Sequence, residues 1–165
     1  MKKILLIFIF LAGFINSAAA QNSFLNARCS DYHGSRIQII SDSSARQMAE
    51  AGISTLGTPQ IHVNPAQLKD LSPNARAFAL NHVCGNHTLG YLVNDAEDIY
   101  HHYERVGNAD CWAAAKLFYA GLVDKEGVDA IEEEVNQISR EQWSHFPGPV
   151  RVVVLNDVCA LKPMN

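Results

Sequence analysis

The sequence has no apolar run long enough to cross a membrane. Its N-terminal run, Ile4 to Ile15, falls short of the roughly 20 residues that a span requires. No cysteine follows the small residues Ala18-Ala19-Ala20; position 21 is glutamine, which excludes a lipid-anchored start there. No two cysteines form a C-x-x-C hook, which argues against a zinc-thiolate site. Positive charge is not in excess: 13 basic residues face 17 acidic ones, for a net charge of −4. That balance disfavours nucleic acid and anionic lipid as partners. Internal repeats, linkers and low-complexity segments are also lacking.

What is present begins with an export signal. Lys2 and Lys3, the apolar run and the alanines before Gln21 make residues 1–20 a secretory signal peptide. Residues 21–165 are then a single domain, long enough to bury a core. The leader holds two of the thirteen basic residues and no acidic one, so the mature part carries about −6. The expected location is periplasmic or secreted. All four cysteines (Cys29, Cys84, Cys111 and Cys159) fall in the mature part, as expected of two disulfides in an exported chain. Three pairings are possible. The preferred one is Cys29–Cys159, tying the two ends, with Cys84–Cys111 joining two helices.

The pattern predicts an α+β fold, mainly helical, with a small sheet of short strands. Gln21 to Asn26 is polar and without an element. Arg36–Ile40 and Gln60–Asn64 are β-branched or alternating and read as strands, with a turn at Gly57-Thr58-Pro59. Ser43–Ala51 reads as a short helix stopped by Gly52. A helical turn covers Pro65–Leu71. Ser72 and Pro73 open a helix expected to reach about Leu92. A second covers about Ala96–Ala120, with a break at Gly107 considered and Gly121 at its C-terminal cap. A third runs from Asp124 to Ser139 with Val128, Ile131, Val135 and Ile138 at helical spacing. Phe146–Pro149 is irregular. Val150–Leu155 is a strand or the start of a final helix, its β-branched residues favouring strand.

The helix through Phe78–Tyr91 carries the chemical question. A zinc peptidase helix reads H-E-x-x-H, with two histidines on one face and a glutamate between them. The same register here is His82-Val83-Cys84-Gly85-Asn86. Residues 82 and 86 share a face, but asparagine is a poor zinc ligand. His87 lies five residues on, about 140° around the axis and away from His82. Valine cannot take a proton from a metal-bound water; Glu97, Asp98 or Glu104 would have to act instead.

Three stretches together resemble a small exported branch of the gluzincin metallopeptidases: Ile61-His-Val-Asn-Pro65, Phe78–Tyr91 and Ala109-Asp-Cys-Trp-Ala113. That pattern has one helix of the form F-x-x-x-H-E-C-x-H-H-x-x-G-H and a second of the form E-x-x-A-D-C-W-A. The tail from Ser144 to Arg151 is also similar. The resemblance implies a zincin-like fold. It places His82 at the first zinc histidine, Val83 at the general-base glutamate and Asn86 at the second zinc histidine. His87 falls at an adjoining histidine that is not a ligand. Val106 takes the place of the glutamate ligand, and Asp110 that of the aspartate that orients a ligand histidine. Tyr91 replaces the closing histidine. Cys84 and Cys111 match the family's cysteines, which supports their pairing.

The resemblance therefore implies a pseudoenzyme: an exported metallopeptidase-like protein without catalytic residues or cofactor, acting as a binding or regulatory domain for an unknown protein or peptide. His82 is expected as a buried histidine hydrogen-bonded to Asp110. The rival is an active zinc peptidase with His82, His87 and Glu104 as displaced ligands; a structural envelope protein is a third reading. His101-His102, Glu132-Glu133-Glu134 and His145 read as surface positions, and Trp112 and Trp143 as core.

Overall fold

A computed structural model describes residues 28–162; the expected signal peptide and the Gln21–Asn26 stretch lie outside the described residues. The fold is α+β and mainly helical, as the pattern predicts. Strands β1 (Gln38–Ser41), β2 (Ala49–Ile53) and β3 (Pro59–Val63) precede helices α1 (Pro65–Leu68), α2 (Pro73–Thr88), α3 (Ile99–Tyr119), α4 (Lys125–Gln137) and α5 (Arg140–Trp143). The sheet order is β1-β3-β2, with β3 parallel to β1 and antiparallel to β2.

Helix α2 is the centre of the molecule. The Ser72 hydroxyl accepts from Ala75 N–H, and Pro73 occupies the first turn, where no donor is missed. Ten of its sixteen residues are buried, among them Phe78, Ala79, Leu80, His82, Val83 and Cys84. A helix packed on most sides needs no single apolar stripe; this is why alanine and histidine interrupt the expected periodicity. It lies against α3, α4 and the sheet. Phe78 stacks with Phe146 from the segment after α5, ring centroids 6.4 Å apart, and both are fully buried.

Helix α2 stops at Thr88 rather than near Leu92. Gly90, at φ 74°, donates to His87 O, and Tyr91 N–H donates to Asn86 O. That is a Schellman ending, which requires the left-handed residue that glycine supplies. Helix α3 begins at its cap Asp98, which accepts from His101 N–H. It runs unbroken through Gly107, whose absent side chain faces open space.

Two segments differ from expectation. Residues 43–51 form no helix. The Asp42 carboxylate takes the Ser44 N–H and hydroxyl at 2.9 and 2.6 Å. The Asn64 side-chain amide takes the Ser43 and Ala45 carbonyls. Ala49–Ile53 is then drawn into pairing with β3, so tertiary pairing outweighs local helix preference. Val150–Leu155 is neither a helix nor a strand in a sheet. Its burial alternates as in a strand, with Val153 and Leu155 inward and Val150, Val152 and Val154 outward.

The disulfides also differ: Cys29 joins Cys84, and Cys111 joins Cys159, with Cα separations of 5.8 and 4.9 Å. The expected Cys84–Cys111 and Cys29–Cys159 links are both absent. Helical phase accounts for this. His82 and Asp110 face each other across α2 and α3. Cys84 is about 200° around from His82, and Cys111 about 100° around from Asp110. Each sulfur is thus turned toward a chain end. Two disulfides fit an exported chain, and no described helix is long and apolar enough to cross a membrane.

At the crossing of α2 and α3, a Cβ on Gly85 would sit 3.3 Å from the Trp112 ring and 3.4 Å from Ala109 Cα. Gly85→Leu is expected to cost about 1–3 kcal/mol by overpacking, while Gly107→Ala is expected to stabilise by about 0.5–1 kcal/mol. Denaturant unfolding of both variants checks the pair.

Candidate functional site

Three segments meet at one buried carboxylate. His82 comes from the middle of α2, Asp110 from the middle of α3, and Arg151 from the chain after α5. His82 Nδ1 lies 2.7 Å from Asp110 Oδ1. The Arg151 guanidinium forks onto the same carboxylate, Nη2 donating to Oδ1 at 2.6 Å and Nε to Oδ2 at 2.7 Å. Its Nη1 donates to the Pro147 and Pro149 carbonyls at 3.1 and 3.0 Å. His82 and Asp110 are 1% and 4% exposed.

Burial alone would raise the Asp110 carboxyl; the His82 hydrogen bond and the Arg151 fork outweigh it and hold the group below the usual carboxylate range. Because the carboxylate accepts, His82 donates its Nδ1–H and turns its other ring nitrogen, Nε2, away from Asp110. That Nε2 is buried and meets no partner among the described residues. A Cβ built on Gly148 would stand 3.0 Å from Arg151 Nη1, 3.5 Å from His82 Nε2 and 3.6 Å from a Val106 methyl. The Pro147-Gly148-Pro149 turn thus covers His82, and the left-handed φ of 82° at Gly148 favours glycine there.

The other sequence candidates lie elsewhere. Val83 is buried in the core, Asn86 is half-buried one turn beyond His82, and Val106 is buried beside the turn. His87 points to the sheet, its Nε2 2.9 Å from the Gln60 carbonyl. The carbonyl can only accept, so Nε2–H donates to it; burial holds the His87 ring below the ordinary histidine range. It shares a cavity of about 140 Å³ with Tyr32, Ile53 and Val93. Glu104 is exposed on α3. His82, His87 and Glu104 therefore face three environments. No group of three His, Cys, Asp or Glu side chains converges as a metal site among the described residues. The residues around His82 Nε2 do not fit a zinc ion, which needs at least three protein donors. Tyr91 is half-buried, and Asn108 donates to its hydroxyl.

His101 caps onto Asp98, with His101 Nδ1 at 2.9 Å from Asp98 Oδ1, at an exposed position. His145 is half-buried and tied to the Arg46 carbonyl, while its own carbonyl receives Met48 N–H. Trp143 is buried and Trp112 half-buried. The acidic run on α4 does more than face solvent: Glu132 accepts from Leu155 N–H at 2.6 Å and Glu134 from Ser72 N–H at 2.7 Å.

Arg151 is the residue that sequence reasoning missed as a site member. Its signal was the tail Ser144–Arg151, which resembled the family segment but assigned no role to its arginine. No protein family, curated protein or solved structure matches this chain.

Asp110→Asn leaves the Arg151 charge buried without its partner and is expected to cost about 3–5 kcal/mol. Since the folded Asp110 carboxyl is depressed, its stabilisation is present above the unfolded pKa of about 3.9 and lost as pH falls through the folded value. Acid titration of stability should show a flatter acid limb for Asp110→Asn than for the parent chain.

Proposed function

We propose that the chain is an exported, metallopeptidase-like protein without catalytic activity, acting as a binding or regulatory domain for a protein or peptide. The observation that carries this reading is the environment of His82. It corresponds to the first zinc histidine of the resembling pattern and keeps that histidine's carboxylate partner, but no second or third ligand converges on its Nε2 among the described residues. A hydrolytic zinc centre needs an activated water and a base to deprotonate it. Valine at 83 supplies no base, and asparagine at 86 and valine at 106 supply neither the second histidine nor the glutamate of the resembling pattern.

The same environment explains what such a scaffold would keep. The Asp110 carboxylate has its charge matched by the Arg151 guanidinium, so the buried carboxylate needs no metal ion to balance it. In this reading the covering turn and the apolar residues around His82 leave a packed frame whose outer surfaces are free to engage a partner.

The purified protein is expected to hold substoichiometric zinc by elemental analysis and to leave casein intact. About one equivalent of zinc, together with casein cleavage that a chelator stops, would overturn the reading. The combined variant Val83→Glu, Asn86→His and Val106→Glu rebuilds two histidines and two glutamates around one face. It is expected to gain zinc where the parent chain does not.

A further inference from the structure

The two disulfides sit in different electrostatic surroundings. At Cys29–Cys84, the Lys116 ammonium from α3 lies 3.7 Å from Cys84 Sγ, and the Thr88 hydroxyl lies 4.0 Å from the same sulfur. The ammonium also donates to the Arg28 carbonyl at 2.7 Å and stands 4.6 Å from the centre of the Trp112 ring, so it is held in place on two further sides. A cation held against a cysteine sulfur favours the thiolate over the thiol. Cys111–Cys159 has no such neighbour. Among the described residues no lysine or arginine donates to either sulfur, and Cys159 Sγ lies 3.9 Å from the Val154 carbonyl oxygen.

The other half of the first link, Cys29, lines a cavity of about 600 Å³ together with Arg28, Ser30, Gly34 and Arg36 among the described residues. Both arginines are exposed. The nearby Asp31 carboxylate is turned into its own loop, where it accepts the His33 and Ser35 N–H groups. In a chain of net charge −4 this corner is locally basic and attracts anionic small molecules. The segment is also held independently of its disulfide. The Cys29 carbonyl accepts Ile37 N–H, the Ser30 carbonyl accepts the Thr88 hydroxyl at 2.7 Å, and the Arg28 carbonyl accepts Lys116. Opening the link therefore leaves Cys29 docked beside α2, in place to close it again.

We propose that Cys29–Cys84 is a thiol–disulfide exchange site for a small anionic thiol, one that carries carboxylates. The incoming thiolate attacks Cys29 Sγ from the arginine-lined cavity. A new S–S bond forms to Cys29, the Cys29–Cys84 bond breaks, and its electron pair stays on the Cys84 sulfur beside Lys116. The thiol is oxidised into a mixed disulfide on Cys29 while Cys84 is reduced. A second thiolate attacking the sulfur of the bound thiol releases the oxidised dimer and leaves both cysteines reduced. Stabilising the departing thiolate speeds exchange and favours the reduced form, as in oxidising disulfides. Burial keeps Lys116 below its ordinary range, which readies it to pass a proton to that sulfur. This activity goes beyond the binding role proposed above and does not depend on it.

Exposure alone predicts the opposite order of reactivity, because Cys111 and Cys159 are half-buried whereas Cys29 and Cys84 are buried. The test incubates the purified, folded protein with glutathione at neutral pH, traps free thiols with iodoacetamide and locates both labels by peptide mass spectrometry. Glutathione is expected on Cys29 and the trap on Cys84, with about tenfold or greater preference over Cys111 and Cys159. Cysteamine, a cationic thiol, should react more slowly once rates are corrected for thiolate content. Arg28→Gln combined with Arg36→Gln should erase that difference. Lys116→Met keeps an apolar stem over Trp112 and should slow exchange by about tenfold, whereas Lys116→Arg should retain most of it. A lysine that only braces the fold would change unfolding without changing which disulfide exchanges first.

First labelling at Cys111 or Cys159, or no adduct on the folded protein, would overturn the proposal. A Lys116→Met chain that exchanges at the parent rate would do the same. Equal corrected rates for glutathione and cysteamine would overturn the anionic class of the thiol. Whether or not Lys116→Met folds, the order of labelling in the parent chain decides the matter.

Discussion

Asp110 is a buried carboxylate, and the arrangement of three chain segments follows from satisfying it. An unpaired charge in that position would be far too costly to keep. It is answered on one side by an imidazole from α2 and on the other by a two-pronged guanidinium from the C-terminal segment. Such a pair adds little net stability over apolar packing, but it is unforgiving once formed. It sets the rotation of α3 against α2. It also draws the chain after α5 back across the molecule, with the Pro147-Gly148-Pro149 turn pulled over His82 by two further bonds from the same arginine.

The disulfides are subordinate to that contact. Once His82 and Asp110 face each other, Cys84 and Cys111 cannot also do so, and each sulfur finds a partner from a chain end. Cys84 takes the N-terminal segment at Cys29. Lys116 reinforces that junction, its Nζ donating to the Arg28 carbonyl at 2.7 Å and lying over the Trp112 ring at 4.6 Å. Burial keeps Lys116 below its ordinary range. Cys111 takes the C-terminal segment at Cys159. Two links that each join a helix to a terminus restrain the unfolded chain over separations of 55 and 48 residues, in loops of similar entropic weight.

Much of this was legible because the signals were local. Ser72-Pro73 marks the start of α2, Asp98 and Asp124 cap the following helices, and the period of α4 is plain. The contact between His82 and Asp110 could be read from two motifs on separate helices. What escaped was set by distant chain. Ala-Arg-Gln-Met-Ala-Glu at 45–50 favours helix on its own, and only β3 and the Asn64 side chain make it loop and strand. Helix α2 ends short of Leu92 because Gly90 supplies the left-handed residue of a cap, a role its place in an otherwise helical pattern hides. The cysteine pairing depends on the helical phase that the His82–Asp110 contact sets, which the spacing of four cysteines does not carry. Arg151 was hidden because nothing near it in sequence says that its charge is spent in the interior.

That last residue connects the interior to the surface. Along an extended chain, side chains alternate with a period of two, so orienting one residue orients its neighbours. Arg151 must turn inward to reach Asp110. Val153 and Leu155 then turn inward with it and fill the core beside α4, fully buried. Val150, Val152 and Val154 are forced outward together. A slip of one residue would expose the arginine and bury the valines, leaving Asp110 without its partner. The interaction that completes the buried site is thus the same one that strips the outer face of charge. That coupling gives the ion pair a second effect: it fixes which side chains of this segment face outward.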